Sequence, residues 1–380
     1  MCSSTTRGSW GRSSGWSAPF IRVRRHILTR RRARRTEAAE SLTRSRISPP
    51  SQKAHPMSKH PGGRRGLSLI FCALMALASS ATLAQEKYPS RAITWVVGYP
   101  PGGSVDVVTR LVARKLEATL GQPIVVDNKP GATGSLALRY VATQPADGYT
   151  LVTVPGPVLT SIPMPQIGKE MSAIAMLAKG STVLVGPARP DAPKDLKALL
   201  ADASVHPDKY SYGSSGNGTG QHLTGELIQA LTGVTMTHVP YKGGNQAVTD
   251  VIGGQIPLAV LGITPVLPHI RSGKLKAYGV STATRSTSLP EVPTLREAGI
   301  ANFEASQWFV LAARAGIPAD RSDRLNEAVA QALKDPEVMK GFENVGMFPE
   351  ANSAKQTADY IHSDMRRWAD LVKKNKIAID

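Results

Sequence analysis

Two glycine-rich stretches put hydroxyl and amide groups where a helix is about to begin. One is Tyr99-Pro100-Pro101-Gly102-Gly103-Ser104-Val105-Asp106; the other runs from Gly213 through Ser214, Ser215, Gly216, Asn217, Gly218 and Thr219 to His222. Each follows a short β-type run and precedes an apolar pattern of helical period. Glycine permits positive φ and close backbone approach, and the helix behind presents unpaired N–H groups and a partial positive charge. Two such turns facing each other would make an anion clamp built from backbone, with serine and threonine hydroxyls added. The competing reading of either turn alone is a tight strand-to-helix connection.

Other chemistries lack their residues. The second turn alternates as GxGxG and then has Gln221, so the spacing to a third glycine of a dinucleotide fingerprint is missing; neither turn carries GxxxxGK. The histidines after residue 85 are His206, His222, His238, His269 and His362, none in an HExxH pair, and no GxSxG surrounds Ser214 or Ser215. No catalytic residue, metal ligand or cofactor is expected. His222 lies early in the helix behind the second turn, and Tyr241-Lys242 precede Gly243-Gly244; each is a ligand contact or a structural residue. Asp106, two residues after Ser104, suits a capping role at a helix start. Asp364, Arg366 and Arg367 are expected to stay hydrated on a late surface helix.

The elements that must hold these turns alternate strand and helix, an α/β pattern. Ile93–Tyr99 reads as a strand, and Ser104 as the N-cap of a helix with Val107, Val108, Leu111, Val112 and Leu116 on its apolar side. Strands follow at Ile124–Asn128 and Thr150–Val154, in MSAIAML and in TVLVGPA, with helices at Leu136–Ala142 and Asp195–Ala203. Tyr210–Gly216 enters the second turn, and a helix from about Gln221 to Leu231 leaves it. MTHVPY, a helix at Gln246–Ile252, IPLAVLG, a helix at Pro265–Arg271 and LKAYGVS continue the alternation. Gln307–Ala313 is a late strand, and helices at about Arg321–Leu333 and Ser353–Lys374 close the chain.

The 380 residues contain 46 Lys+Arg and 28 Asp+Glu, a formal charge of +18. That balance would suggest nucleic acid or an anionic surface, but it is confined to the front. Met1–Pro56 carries 13 bases and 2 acids, and Met57–Gln85 three bases and no acid, leaving a net +4 on the remainder. Both cysteines, Cys2 and Cys72, also precede Glu86. Met1–Pro56 is Arg- and Ser-rich without apolar period, the composition of a disordered extension. Met57–Gln85 has the layout of a secretory signal peptide: a basic start, an apolar core from Leu67 to about Ala78, and small residues up to Ala84. That core is too short to span a bilayer, and no lipoprotein-type site precedes Cys72. Met57 is therefore read as the true start, with the mature chain beginning near Gln85 or Glu86 outside the inner membrane.

The strings YPSRAITWVVGYPPGGSVD, GQPIVVDNKPGATGS, ADGYTL, YGSSGNGTGQHLTGELI, HVPYKGGNQAVTDVIGGQI, LPHIRSGKLKAYGVST, LPEVPTLREAG and DPEV occur in that order between Tyr88 and Asp380. In order and spacing they resemble the substrate-binding proteins of tripartite tricarboxylate transporters, the Bug family of periplasmic receptors. The resemblance implies an α/β, two-domain, type II periplasmic-binding-protein-like fold with a ligand cleft between the domains. Residues 86–187 plus 306–380 would form the first domain and 188–305 the second. It implies a small organic carboxylate held by backbone N–H groups, hydroxyls and ordered water. The implied contacts are Tyr99, Pro100, Pro101, Gly102, Gly103, Ser104 and Asp106, then Ser214, Ser215, Gly216, Asn217 and Thr219, with His222 added for its place behind the second turn. Integral-membrane permease subunits would be the partners, with no nucleic acid, no stable membrane insertion of the mature chain, and a monomer. Two departures stand out. Gly156–Met171 is shorter than in the family, and Leu261-Gly262 replaces a polar pair, which favours a less polar ligand or one without an amine to pair. The alternatives are a sensory receptor with the same clamp, and an extracytoplasmic hydrolase needing a Ser215–His222 pair.

Overall fold

A computed structural model describes residues 87–159 and 164–377. The Arg-rich extension and the signal-peptide segment lie outside the described residues. Among those described, no helix is long and apolar enough to cross a membrane.

The first half of the chain runs β1 (Ile93–Val97), α1 (Ser104–Leu120), β2 (Ile124–Asn128), α2 (Ser135–Ala142), β3 (Thr150–Gly156), β4 (Met171–Gly180), β5 (Thr182–Pro187), α3 (Leu196–Val205) and β6 (Ser211–Ser214). The second half runs α4 (Gly220–Thr232), β7 (Thr237–Pro240), α5 (Gly244–Gly253), β8 (Leu258–Gly262), α6 (Ile263–Arg271), β9 (Leu275–Val280), β10 (Gln307–Arg314), α7 (Ala319–Ala332), α8 (Pro336–Asn344), β11 (Met347–Pro349) and α9 (Ala354–Asn375). The strands form two sheets, ordered β11-β4-β10-β3-β1-β2 and β7-β6-β8-β5-β9. In the first, β1 runs parallel to β2 and β3, while β10 lies antiparallel to β3 and β4. In the second, β6 runs parallel to β7 and β8, while β5 lies antiparallel to β8 and β9. Parallel strands buried on both faces read as continuous apolar runs, and β8, LAVLG, is buried throughout.

The chain passes between the sheets at Ser181 and again between Val280 and Gln307. The crossings are tied together: Thr182 N–H donates to Ser281 Oγ at 2.9 Å, and that hydroxyl donates to Ala305 O at 2.8 Å. The first boundary thus falls before β5, not after Pro187. TVLVGPA is legible as a strand, but its sheet is not, because membership depends on its pairing with Leu258–Gly262 and Leu275–Val280 far along the chain.

Two details at the C-terminus also differ from expectation. Asp335 caps the unanticipated α8 by accepting from the N–H groups of Glu337 and Val338, with Pro336 at the first position, so DPEV is itself a helix start. Asp364 is buried rather than hydrated: its Oδ2 accepts from Trp308 Nε1–H at 2.8 Å, and Arg367 pairs with Oδ1 at 2.9 Å. Helix α9 spans both halves. Ile361 packs with β4 and β10, whereas Trp368 sits in the apolar cluster of the second sheet with Leu223 and Leu227.

Candidate functional site

The strand ends of the two sheets enclose a cavity of about 100 Å³. Four helices begin at it. Gly103 and Ser104 bring α1; Thr219, Gly220 and Gln221 bring α4; Gly243 and Gly244 bring α5; Gly262 and Pro265 bring α6. The N-caps of α1, α5 and α6 are glycines without a side-chain cap, so the first-turn N–H groups keep no competing side-chain acceptor there. Pro155, Pro157, Val158, Gln307 and Phe309 complete the wall, and no described lining residue is charged.

The cleft is shut. Asn245 Nδ2 donates to Pro101 O at 3.4 Å, and Val158 forms an isolated antiparallel bridge with Thr219. Leu159 N–H donates to Gly218 O at 2.8 Å, so the shortened segment after β3 is fastened to the second turn. Residues 160–163 lie outside the described residues.

Of the residues singled out from sequence, Tyr99, Pro100, Pro101, Gly103, Ser104, Ser215 and Thr219 line this cavity. Gly102, Asp106, Ser214, Gly216, Asn217 and His222 do not; they build the turns from behind. Ser104 is the first helical residue, not the cap, which is Gly103. Asp106 Oδ2 accepts from Gly102 N–H at 2.9 Å, where Gly102 has φ +81°, and its other bonds come from Arg110 and Asn128. Burial alone would raise the Asp106 carboxyl. The Arg110, Gly102 and Asn128 donors outweigh it and hold the group below the usual carboxylate range.

The second turn rests on a stacked imidazole pair, His222 buried and His238 half-buried. Gly218 N–H donates to His222 Nδ1 at 3.0 Å, His222 stacks on His238 with centroids 3.9 Å apart, and His238 Nε2 meets Ser214 Oγ at 2.7 Å. Glu226 faces His222 Nε2 at 3.7 Å and accepts from Tyr212 O–H at 2.7 Å. Desolvation pushes His222 down to about 4, and desolvation with the neighbouring His222 pushes His238 down to about 3. Both rings are neutral at pH 7. Ser215 Oγ donates to Gln221 Oε1 at 2.6 Å and has no bond to His222, so the hydrolase arrangement is not made.

Thr219 caps α4: its Oγ1 donates to Gly216 O at 2.7 Å and accepts from His222 N–H at 3.3 Å. Thr219→Ala should lower stability by about 1 kcal/mol, measured by urea unfolding; no change would mean that the cap is idle.

Gln307 and the glycines that start α5 are not among the contacts expected from sequence, and Gly262 and the segment from Gly156 enter there only as departures from the family pattern. Gly243-Gly244 and Gly262 carry the same signal as the two turns, glycine directly before a helical period, without the flanking hydroxyls that drew attention to the others. Gln307 has no local signature. It is 3% exposed, and its Nε2 donates to Ser181 O at 3.1 Å across the chain crossing.

Two α/β lobes closing on a cavity at convergent helix starts define a solute-binding protein of the periplasmic type, not an enzyme. Residues 108–377 match the model of the tripartite tricarboxylate transporter family receptor, TctC. The chain belongs to that family, whose Bug branch includes a relative from Bordetella pertussis, Protein BugT, 35% identical over 80% of this chain and 95% of its own length. A solved "periplasmic transporter" is 36% identical with a TM-score of 0.73, covering 77% of this chain and 100% of its own. The R. palustris protein Rpa4515, solved with adipate, is 29% identical with a TM-score of 0.73, covering 77% and 99%.

Proposed function

We propose that this receptor captures a small organic carboxylate in the cleft and delivers it, in the periplasm, to the integral-membrane subunits of a tripartite tricarboxylate-type transporter, after export on the Met57–Gln85 segment. The observation that carries the reading is the convergence of four helix N-termini on one cavity whose described lining holds no charged side chain. Helix starts attract an anion through N–H groups and dipoles, while the absence of a carboxylate opposite them disfavours an ammonium. The adipate bound to the R. palustris relative supports an organic acid as cargo. The contacts are the cavity-lining part of the two turns, Tyr99, Pro100, Pro101, Gly103, Ser104, Ser215 and Thr219, joined by the starts of α5 and α6. Gly102, Asp106, Ser214, Gly216, Asn217 and His222 hold those turns in shape. A ligand touching both lobes favours the shut form because only that form offers it both sets of contacts.

A thermal-shift screen of mono-, di- and tricarboxylates tests this. A ligand at about 100 times its dissociation constant stabilises by about 2.7 kcal/mol; no shift with any acid would overturn the proposal. Gly262 supplies a site-specific check. A Cβ there would lie 2.7 Å from Ser104 Oγ and from Gln307 Nε2. Gly262→Ala should therefore weaken the acid found in the screen about tenfold, or about 1.4 kcal/mol, by calorimetry. Unchanged affinity would remove the α6 start from the site.

A further inference from the structure

The face of the first sheet opposite α1 is covered by two helices that leave a gap. Helix α2 covers one side through Ala137, Leu138 and Val141, and α9 covers the other through Ile361. Each makes its own apolar cluster, with Val154 and Ile167 packed against both. Between them lies a second cavity of about 610 Å³, within the size range of small-molecule sites and far larger than the cleft. Its walls include Leu138, Val154, Trp308, Ile361, Met164 and Met365. Its described lining contains no carboxylate; Lys169 and His362 are exposed, and the phenol of Tyr99 is buried.

We infer that this cavity is a second binding site, for a small uncharged aromatic molecule. The lining favours an aromatic body: two thioethers can lie against a ring edge, and Trp308 offers an indole for edge or offset contact. Gln166, Lys169 and His362, whose Nε2 meets Ile167 O at 3.4 Å, form an exposed polar rim, so a hydroxyl or amine on the molecule would point towards it. Tyr99, Pro155 and Val158 line both cavities. The two sites therefore share a wall, and the inference does not depend on what the cleft binds.

The test uses N-phenyl-1-naphthylamine, an uncharged probe that brightens in apolar surroundings, titrated into the intact protein. The expected result is saturable binding of one equivalent. Met365→Trp and Met164→Trp fill the cavity from α9 and from the segment before β4, both at half-buried positions. Each should weaken the probe at least tenfold with an unchanged thermal midpoint, while Val205→Trp, on an exposed position of α3, should leave it unaltered. No saturable brightening of the wild type, or equal binding by both filled variants, would overturn the inference.

Discussion

Trp308→Ala should cost about 3–5 kcal/mol of stability, the range for removing a large buried aromatic. Trp308 is 2% exposed on β10, in the middle of the first sheet. Its ring lies so close over Gly156 that a Cβ there would collide with it, and Tyr360 meets it edge-on at 6.3 Å. Its indole N–H is also one of the bonds holding the buried Asp364. The substitution therefore removes ring contacts and takes a donor from a carboxylate that Arg367 then holds from one side only. Asp364→Asn separates these contributions: an amide oxygen still accepts from the indole, so its loss should be near 1 kcal/mol. Urea unfolding followed by circular dichroism reads both, since fluorescence would change with the indole itself. A loss below about 1.5 kcal/mol for Trp308→Ala would contradict the packing described.

The second large effect is a fall in stability as the pH drops from 6.5 towards 4. His222 is lowered from 6.5 to about 4 in the folded protein. Across that interval the unfolded chain binds a proton that the folded one excludes, so stability rises with pH there and is complete above 6.5. The interval corresponds to about 3 kcal/mol. His238 titrates in the same sense, yet the stacked rings form one coupled pair, so the two contributions do not add. Glu226 opposes them: desolvation raises its carboxyl, which favours the folded state at lower pH. The geometry gives the same sign independently, because His222 Nδ1 accepts from Gly218 N–H and a protonated ring cannot. In the double variant His222→Gln, His238→Gln the acid-dependent part should flatten relative to the wild type. An identical pH slope in both proteins would show that the pair stays out of the proton balance.

Apart from α8 and the short β11, the elements are legible in the sequence, because each carries a local signature. β8 is a continuous apolar run, α1 shows the helical period, and both anticipated turns pair glycine with hydroxyl residues. What escaped was produced by pairing across distance. The α5 and α6 starts reach the cleft because β6 and β8 are neighbours in the second sheet, an order that the sequence does not display. Asp364 has the flanking basic residues of a surface helix; its burial follows from Trp308, 56 residues earlier. β5 was assigned to the wrong side of the boundary for the same reason. His222 is among the contacts expected from sequence, whereas its place under Gly218 and outside the cavity lining depends on His238, on a different strand.

The uncharged wall of the cleft bears on how fast the receptor can load. Clefts lined by charge of one sign focus the field and speed capture of an oppositely charged solute 10- to 1,000-fold, a gain that added salt removes. Helix-start N–H groups act only at close range, and the net +4 of residues 86–380 supplies little guidance from afar. Loading is then governed by diffusion and by the opening of the lobes, and should run at nearly the same speed in dilute and in saline surroundings. For a protein exposed to whatever ionic strength lies outside the inner membrane, that makes scavenging indifferent to the medium.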